Sequence, residues 1–104
     1  MMMAELSPAA RLQLPVKVMI LKNNSLAEVR FEQTELGYQP FGTDLGPIDF
    51  VAFAEACGAA GFRAETSSEL RPAIAAALRS PGPAVIEVTV DPAEPPAMPQ
   101  KLRA

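Results

Sequence analysis

The residues best placed to do chemistry in this 104-residue sequence are Asn23, Asn24 and Ser25. They follow an apolar run, Val16, Val18, Met19, Ile20 and Leu21, of the kind that forms a strand buried on both faces of a parallel sheet. Open α/β sheets bind their ligands at the C-terminal ends of strands, so the polar turn from Lys22 to Ser25 stands where a site would be built. The sequence contains no histidine, which removes the usual general base, the Ser-His and Cys-His nucleophile pairs and the commonest zinc ligand. Chemistry must come from carboxylates, amides or a bound cofactor. Taken alone, an asparagine pair at a strand end is an ordinary polar turn, and the surrounding sequence has to decide.

The elements that would hold this turn alternate. Met1 to Leu14 has helical spacing at Met2, Met3, Leu6, Ala10 and Leu14, with Pro8 kinking the helix or moving its start to Ser7, and Pro15 ending it. Leu26 to Leu36 reads as a helix, and Gly37 to Pro47 as a loop long enough to be functional. Asp49 is an N-cap for a helix from Phe50 to Cys57 that Gly58 terminates. Gly61 to Glu65 is a short strand. Thr66 and Glu69 have capping-box spacing ahead of a helix whose stripe is Leu70, Ile74 and Leu78, with Pro72 close to its start. After Pro81-Gly82-Pro83, Ala84 to Val90 is the clearest strand, and 91–104 is a Pro-rich tail. Strands alternating with helices predict an α/β domain, a partial doubly wound parallel sheet in three α/β/α layers, over residues 1–90.

Composition narrows the function. Nine basic and twelve acidic residues are spread along the chain for a net charge of −3, without a Lys/Arg cluster carrying interleaved aromatics, so nucleic acid is not expected as a partner. No stretch approaches the ~18 apolar residues of a membrane span, and no signal peptide precedes the fold, which predicts a cytoplasmic protein. Cys57 is a single cysteine, read as a small buried residue, and Met1, Met2 and Met3 as packing residues.

The run Leu14-Pro15-Val16-Lys17-Val18-Met19-Ile20-Leu21-Lys22-Asn23-Asn24-Ser25-Leu26, followed by Glu32-Gln33, resembles the end of the thiamine-diphosphate motif of the pyruvate oxidase, quinone-dependent pyruvate dehydrogenase and acetolactate synthase-like enzymes. Ile48 to Gly58, Gly61-Phe62-Arg63, Gly82-Pro83-Ala84-Val85 and the Pro-rich ending fit the same enzymes in the same order. The resemblance implies thiamine diphosphate and magnesium as cofactors. Asn23 and the Ser25 carbonyl match the metal ligands, with Asn24 as the alternative to Asn23; magnesium suits such hard oxygens. Asn23, Asn24, Ser25, Leu26 and Val29 match cofactor-binding positions, and Glu32 a glutamate that contacts substrate or intermediate. Ala27 stands where the family usually has glycine, and Glu28 where it has an apolar or amide residue.

The family motif opens with Gly-Asp-Gly, which would fall just before Met1. The cofactor-activating glutamate belongs to a separate N-terminal domain. The expected function is therefore that of a fragment of a 2-oxo acid oxidase or decarboxylase, inactive alone, whose partners are copies of itself or the other domains of such an enzyme. The alternative is a small self-associating or partner-binding α/β module that uses no cofactor.

Overall fold

The structure is a computed structural model that describes residues 3–93. The reading of Met1 to Met3 as packing residues, and all of the tail beyond Ala93, lie outside the described residues and side chains. Two compact units divide the chain: Met1–Lys22 with Asp49–Val90, and Asn23–Ile48 with Asp91–Ala104.

In the first unit a 3-10 turn, Met3–Glu5, leads into helix α1, Leu6–Arg11, then strand β1, Lys17–Lys22. Helix α3, Phe50–Ala56, strand β2, Ala60–Ala64, helix α4, Ser67–Arg79, and strand β3, Ala84–Thr89, complete it; α2, Ala27–Glu35, belongs to the second unit. The sheet has the order β1-β3-β2 with both pairings parallel, so the α/β reading holds. Val18 lies beside Val85 and Ile20 beside Glu87, while Phe62 lies beside Ile86 on the other flank.

β3 is the central strand and is buried from Ala84 to Val88. Its alternation splits the core in two. Ala84, Ile86 and Val88 pack with Ala73 and Ala77 of α4, and Leu70 and Ile74 add to that cluster. Val85 packs on the opposite face with Ala54 of α3 and with Leu6, Ile20 and Phe50. Helices on both faces of one sheet make the three layers. The alanines matter because they let α4 approach the sheet closely. Leu78, expected in the stripe, is instead 66% exposed: Ala73 and Ala77 take the sheet-facing places and leave it on the outer side of the last turn.

Three further expectations need correction. The first helix is shorter than its periodicity suggested: Gln13 turns left-handed at φ 52°, two residues before Pro15. Pro8 sits in the first turn of α1, where its missing N–H would have no helical acceptor anyway. β1 is not buried on both faces, because among the described residues it lies at the sheet edge; Val18, Met19 and Leu21 are 39%, 45% and 65% exposed. Cys57 is half-buried rather than buried, since it caps the C-terminus of α3.

Caps follow the sequence signals. Asp49 Oδ1 accepts from the Ala52 N–H at 2.9 Å, and Glu69 reaches back to the Thr66 N–H at 3.2 Å. Gly58 has φ 84°, the left-handed conformation that ends α3. Gly61 is required by space: a Cβ there would lie 2.7 Å from Val51 Cγ1 and 3.1 Å from the Val51 carbonyl oxygen. Gly61→Ala is therefore expected to cost about 2 kcal/mol through overpacking of α3 on β2. Urea unfolding followed by circular dichroism checks this; an unchanged midpoint would mean that α3 shifts freely.

Candidate functional site

The second unit begins at the polar turn. Asn23 Oδ1 accepts from the Ser25 N–H at 3.1 Å, a side-chain turn that fixes the asparagine oxygen two residues from its own backbone. Asn24 adopts φ 56°, a left-handed conformation that asparagine tolerates better than most residues. The turn is clamped to the loop that follows α2. The Leu26 N–H donates to the Thr43 carbonyl at 2.8 Å, Ser25 Oγ donates to the same carbonyl at 3.1 Å, and the Leu45 N–H donates to the Asn24 carbonyl at 2.9 Å. Ser25 and Asp44 form an antiparallel bridge, and Thr43 is buried.

The loop is itself anchored to α2. Gln33 donates from Nε2 to the Phe41 carbonyl and accepts the Phe41 N–H at Oε1, at 3.1 and 3.0 Å. These bonds tie the turn, α2 and the loop after it together, which is how a loop without regular structure of its own keeps one shape.

Asn23, Asn24, Ser25 and Leu26 thus form one structured turn. Val29 and Glu32 lie on α2 three residues apart, hence on one helix face. Val29 is 44% exposed and Glu32 is exposed, and no α2 side chain is buried. The donor set at the turn consists of neutral oxygens. Among the described residues, no group of three or more His, Cys, Asp or Glu side chains could hold a metal. The Asn23 amide oxygen has two lone pairs and spends one on the Ser25 N–H, so it keeps one for a cation, and the Ser25 carbonyl lies two residues on. That set fits magnesium as part of a shell, with the anionic charge arriving on a phosphate.

A second cluster, in the first unit, went unnoticed in the sequence. Glu87 has a 2% exposed side chain in the middle of β3. Its Oε2 accepts the Phe50 N–H at 2.8 Å, at the start of α3. Its Oε1 faces Arg63 Nε of β2 at 3.0 Å and Lys22 Nζ of β1 at 3.4 Å. Arg63 also binds Asp49 Oδ1 at 2.7 Å. One carboxylate therefore ties together all three strands and α3.

Burial alone would raise the Glu87 pKa, but the Phe50 N–H, Arg63 and Lys22 together outweigh it and hold the carboxyl below its ordinary value. The Asp49 carboxyl is lowered by the Ala52 N–H and by Arg63, and Arg63 is raised by Asp49 and Glu87. A carboxylate held charged, with both oxygens engaged, is a structural hub rather than a proton shuttle. The available signal was its composition: Glu87 is the one charged residue between Ala84 and Val90.

A parallel α/β sheet with an amide-bearing turn at the C-terminal end of a strand is the arrangement in which open α/β domains place a ligand. The chain belongs to the family described as thiamine pyrophosphate enzyme, C-terminal TPP binding domain, whose family model matches residues 1–88. It is 39% identical over 90 residues to YdaP of Bacillus subtilis (strain 168), covering 86% of this chain and 16% of that protein. It is 36% identical over 87 residues to the catabolic acetolactate synthase of Raoultella terrigena, covering 84% of this chain and 16% of that one. Among solved structures, the thiamine diphosphate-dependent 4-hydroxybenzoylformate decarboxylase of Rhodococcus jostii RHA1 superposes with a TM-score of 0.80 at 31% identity, over 86% of this chain and 17% of that one. The chain thus spans about a sixth of the length of these relatives.

Proposed function

We propose that residues 1–90 form the part of a thiamine-diphosphate-dependent 2-oxo acid enzyme that faces magnesium and the cofactor's diphosphate, of the pyruvate oxidase-like group, with 91–104 as its tail. The observation that carries this reading is the Asn23–Ser25 turn, which follows a parallel strand and presents a fixed amide oxygen. Asn23 Oδ1 and the Ser25 carbonyl would hold the metal, and Leu26 and Val29 would line the cofactor. Asn23 is preferred to Asn24 because its oxygen is the one the turn fixes. Thiamine diphosphate, when bound, supplies the carbanion chemistry needed at a 2-oxo carbon. Glu32, on the same helix face as Val29, would contact the substrate. The full activity needs the remainder of such an enzyme, and we place it in the cytoplasm; no helix of the described residues is long and apolar enough to cross a membrane.

A second reading, a cofactor-free associating module, is favoured by one observation: Val18, Met19 and Leu21 of β1, and Val16 just before it, are exposed. Calorimetry with thiamine diphosphate and magnesium separates the two when the chain is set within a complete relative, where binding is what the module reading does not allow. The isolated chain is expected to bind weakly or not at all, because neutral oxygens attract the cation less than a carboxylate would. Tight magnesium-dependent binding that Asn23→Ala abolishes would show that these residues suffice by themselves.

A further inference from the structure

We propose that Gln33 is a positioning residue for the metal: its carboxamide holds the loop that points the Asn23 amide oxygen and the Ser25 carbonyl to one side of their turn. This role rests on the reading that these two oxygens face magnesium.

Peptide planarity sets the direction of both. The Leu26 N–H donates to the Thr43 carbonyl at 2.8 Å, and the Ser25 carbonyl belongs to the same trans peptide group, so it points the opposite way, away from the loop. The Asn24 carbonyl accepts the Leu45 N–H at 2.9 Å, which turns the other end of that peptide group, the Ser25 N–H, away from the loop as well. The Ser25 N–H donates to Asn23 Oδ1 at 3.1 Å, so the amide oxygen stands on that same outer side. This is the pattern of an antiparallel bridge, here Ser25 with Asp44, in which the paired residue turns its own N–H and C=O outward. Magnesium demands strict geometry from its oxygens, and the bridge to the loop gathers two of them on one side.

The loop must then keep its own place, and apolar packing does little to hold it. Phe41 is 86% exposed, Tyr38 is 66% exposed, and α2 buries no side chain. Gln33 supplies three bonds instead. Its carbonyl accepts the Tyr38 N–H at 2.8 Å, while its side chain accepts the Phe41 N–H at 3.0 Å and donates to the Phe41 carbonyl at 3.1 Å. A carboxamide that engages both backbone groups of one residue acts as a short piece of strand beside it. Gly42, left-handed at φ 68°, carries the chain on to Thr43, whose carbonyl has both lone pairs occupied by the Leu26 N–H and Ser25 Oγ. Gln33 thus reaches the metal-facing oxygens through the loop backbone without touching the metal.

Gln33→Met is the test, because methionine keeps the length and helix propensity of glutamine and removes both side-chain bonds. In the full chain, amide hydrogen exchange followed by nuclear magnetic resonance should become about tenfold faster at Leu26 and Leu45, with the amides of β3 unchanged. In a hybrid carrying residues 1–90 in place of the matching segment of YdaP, the magnesium concentration for half-maximal binding of thiamine diphosphate should rise about tenfold, and saturating magnesium should restore the cofactor affinity. A role confined to stability would leave the magnesium requirement of the folded hybrid where it was. Gln33→Glu keeps an acceptor for the Phe41 N–H but no donor for its carbonyl; it should fall between, and it remains informative if the methionine variant fails to fold. Unchanged exchange at Leu26 and Leu45 overturns the proposal, and so does an unmoved magnesium requirement in Gln33→Met beside a raised one in Asn23→Ala. An unmoved requirement in both variants refutes the reading of the turn as the metal site, and the role of Gln33 falls with it.

Discussion

Glu87→Ala is expected to lower the unfolding free energy by about 3 kcal/mol, a large part of the margin of a domain of this size. The loss comes from what remains rather than from what is removed. Without the carboxylate the Phe50 N–H and the Lys22 ammonium lose their acceptor within the sheet, and buried donors left unpaired are costly, while the part-exposed Arg63 keeps only Asp49. Glu87→Gln, which keeps an acceptor for the Phe50 N–H but not the charge, should fall between wild type and alanine. Acid should reproduce the effect. A carboxyl whose pKa is lower in the folded than in the unfolded chain contributes stability above its unfolded value, and that contribution is lost as pH falls through the folded value. Stability should therefore decline below about pH 4.3, the ordinary glutamate value. Urea midpoints measured from neutral pH to pH 3 check both parts; a Glu87→Gln variant with the same acid dependence as wild type would assign the decline to other carboxylates.

Placing residues 1–90 in YdaP of Bacillus subtilis in exchange for its matching segment is expected to give a hybrid that binds thiamine diphosphate in a magnesium-dependent way. In that hybrid Asn23→Ala should weaken binding by about 10- to 100-fold, the scale on which changes around a metal act. Asn24→Gly should leave it nearly unchanged, because glycine adopts the left-handed conformation seen at φ 56° without strain. The contrast separates two neighbouring residues of the same type by their roles: one offers an oxygen, the other a backbone bend. Titration calorimetry against the cofactor at fixed magnesium reads both. Equal losses at the two positions, or none at Asn23, would remove Asn23 from the metal shell.

Much of the fold was legible because its signals are local. Asp49 and Thr66-Glu69 are caps that act within a few residues of themselves, and both appear in the structure where the sequence put them. The alternation of apolar runs with helical stripes gave the parallel α/β order, since each element must bury one face against another. The polar turn at Asn23 to Ser25 was legible as a position at a strand end. Its bonds to Thr43 and Leu45 were not, because they join the turn to residues about twenty positions further along.

The sequence by itself determined the type and order of the elements, the helix caps and the family resemblance, all of which rest on neighbouring residues or on ordered motifs. Tertiary structure alone decided that, among the described residues, β1 is an edge strand with exposed faces and β3 lies between the two strands that precede it. It also brought Lys22, Arg63 and Glu87 to one point. The physical reason is the same in each case. Strand order and the meeting of charges depend on which surfaces come together when the chain closes, and a local pattern of apolar and polar residues is the same for a strand at the edge as for one in the middle.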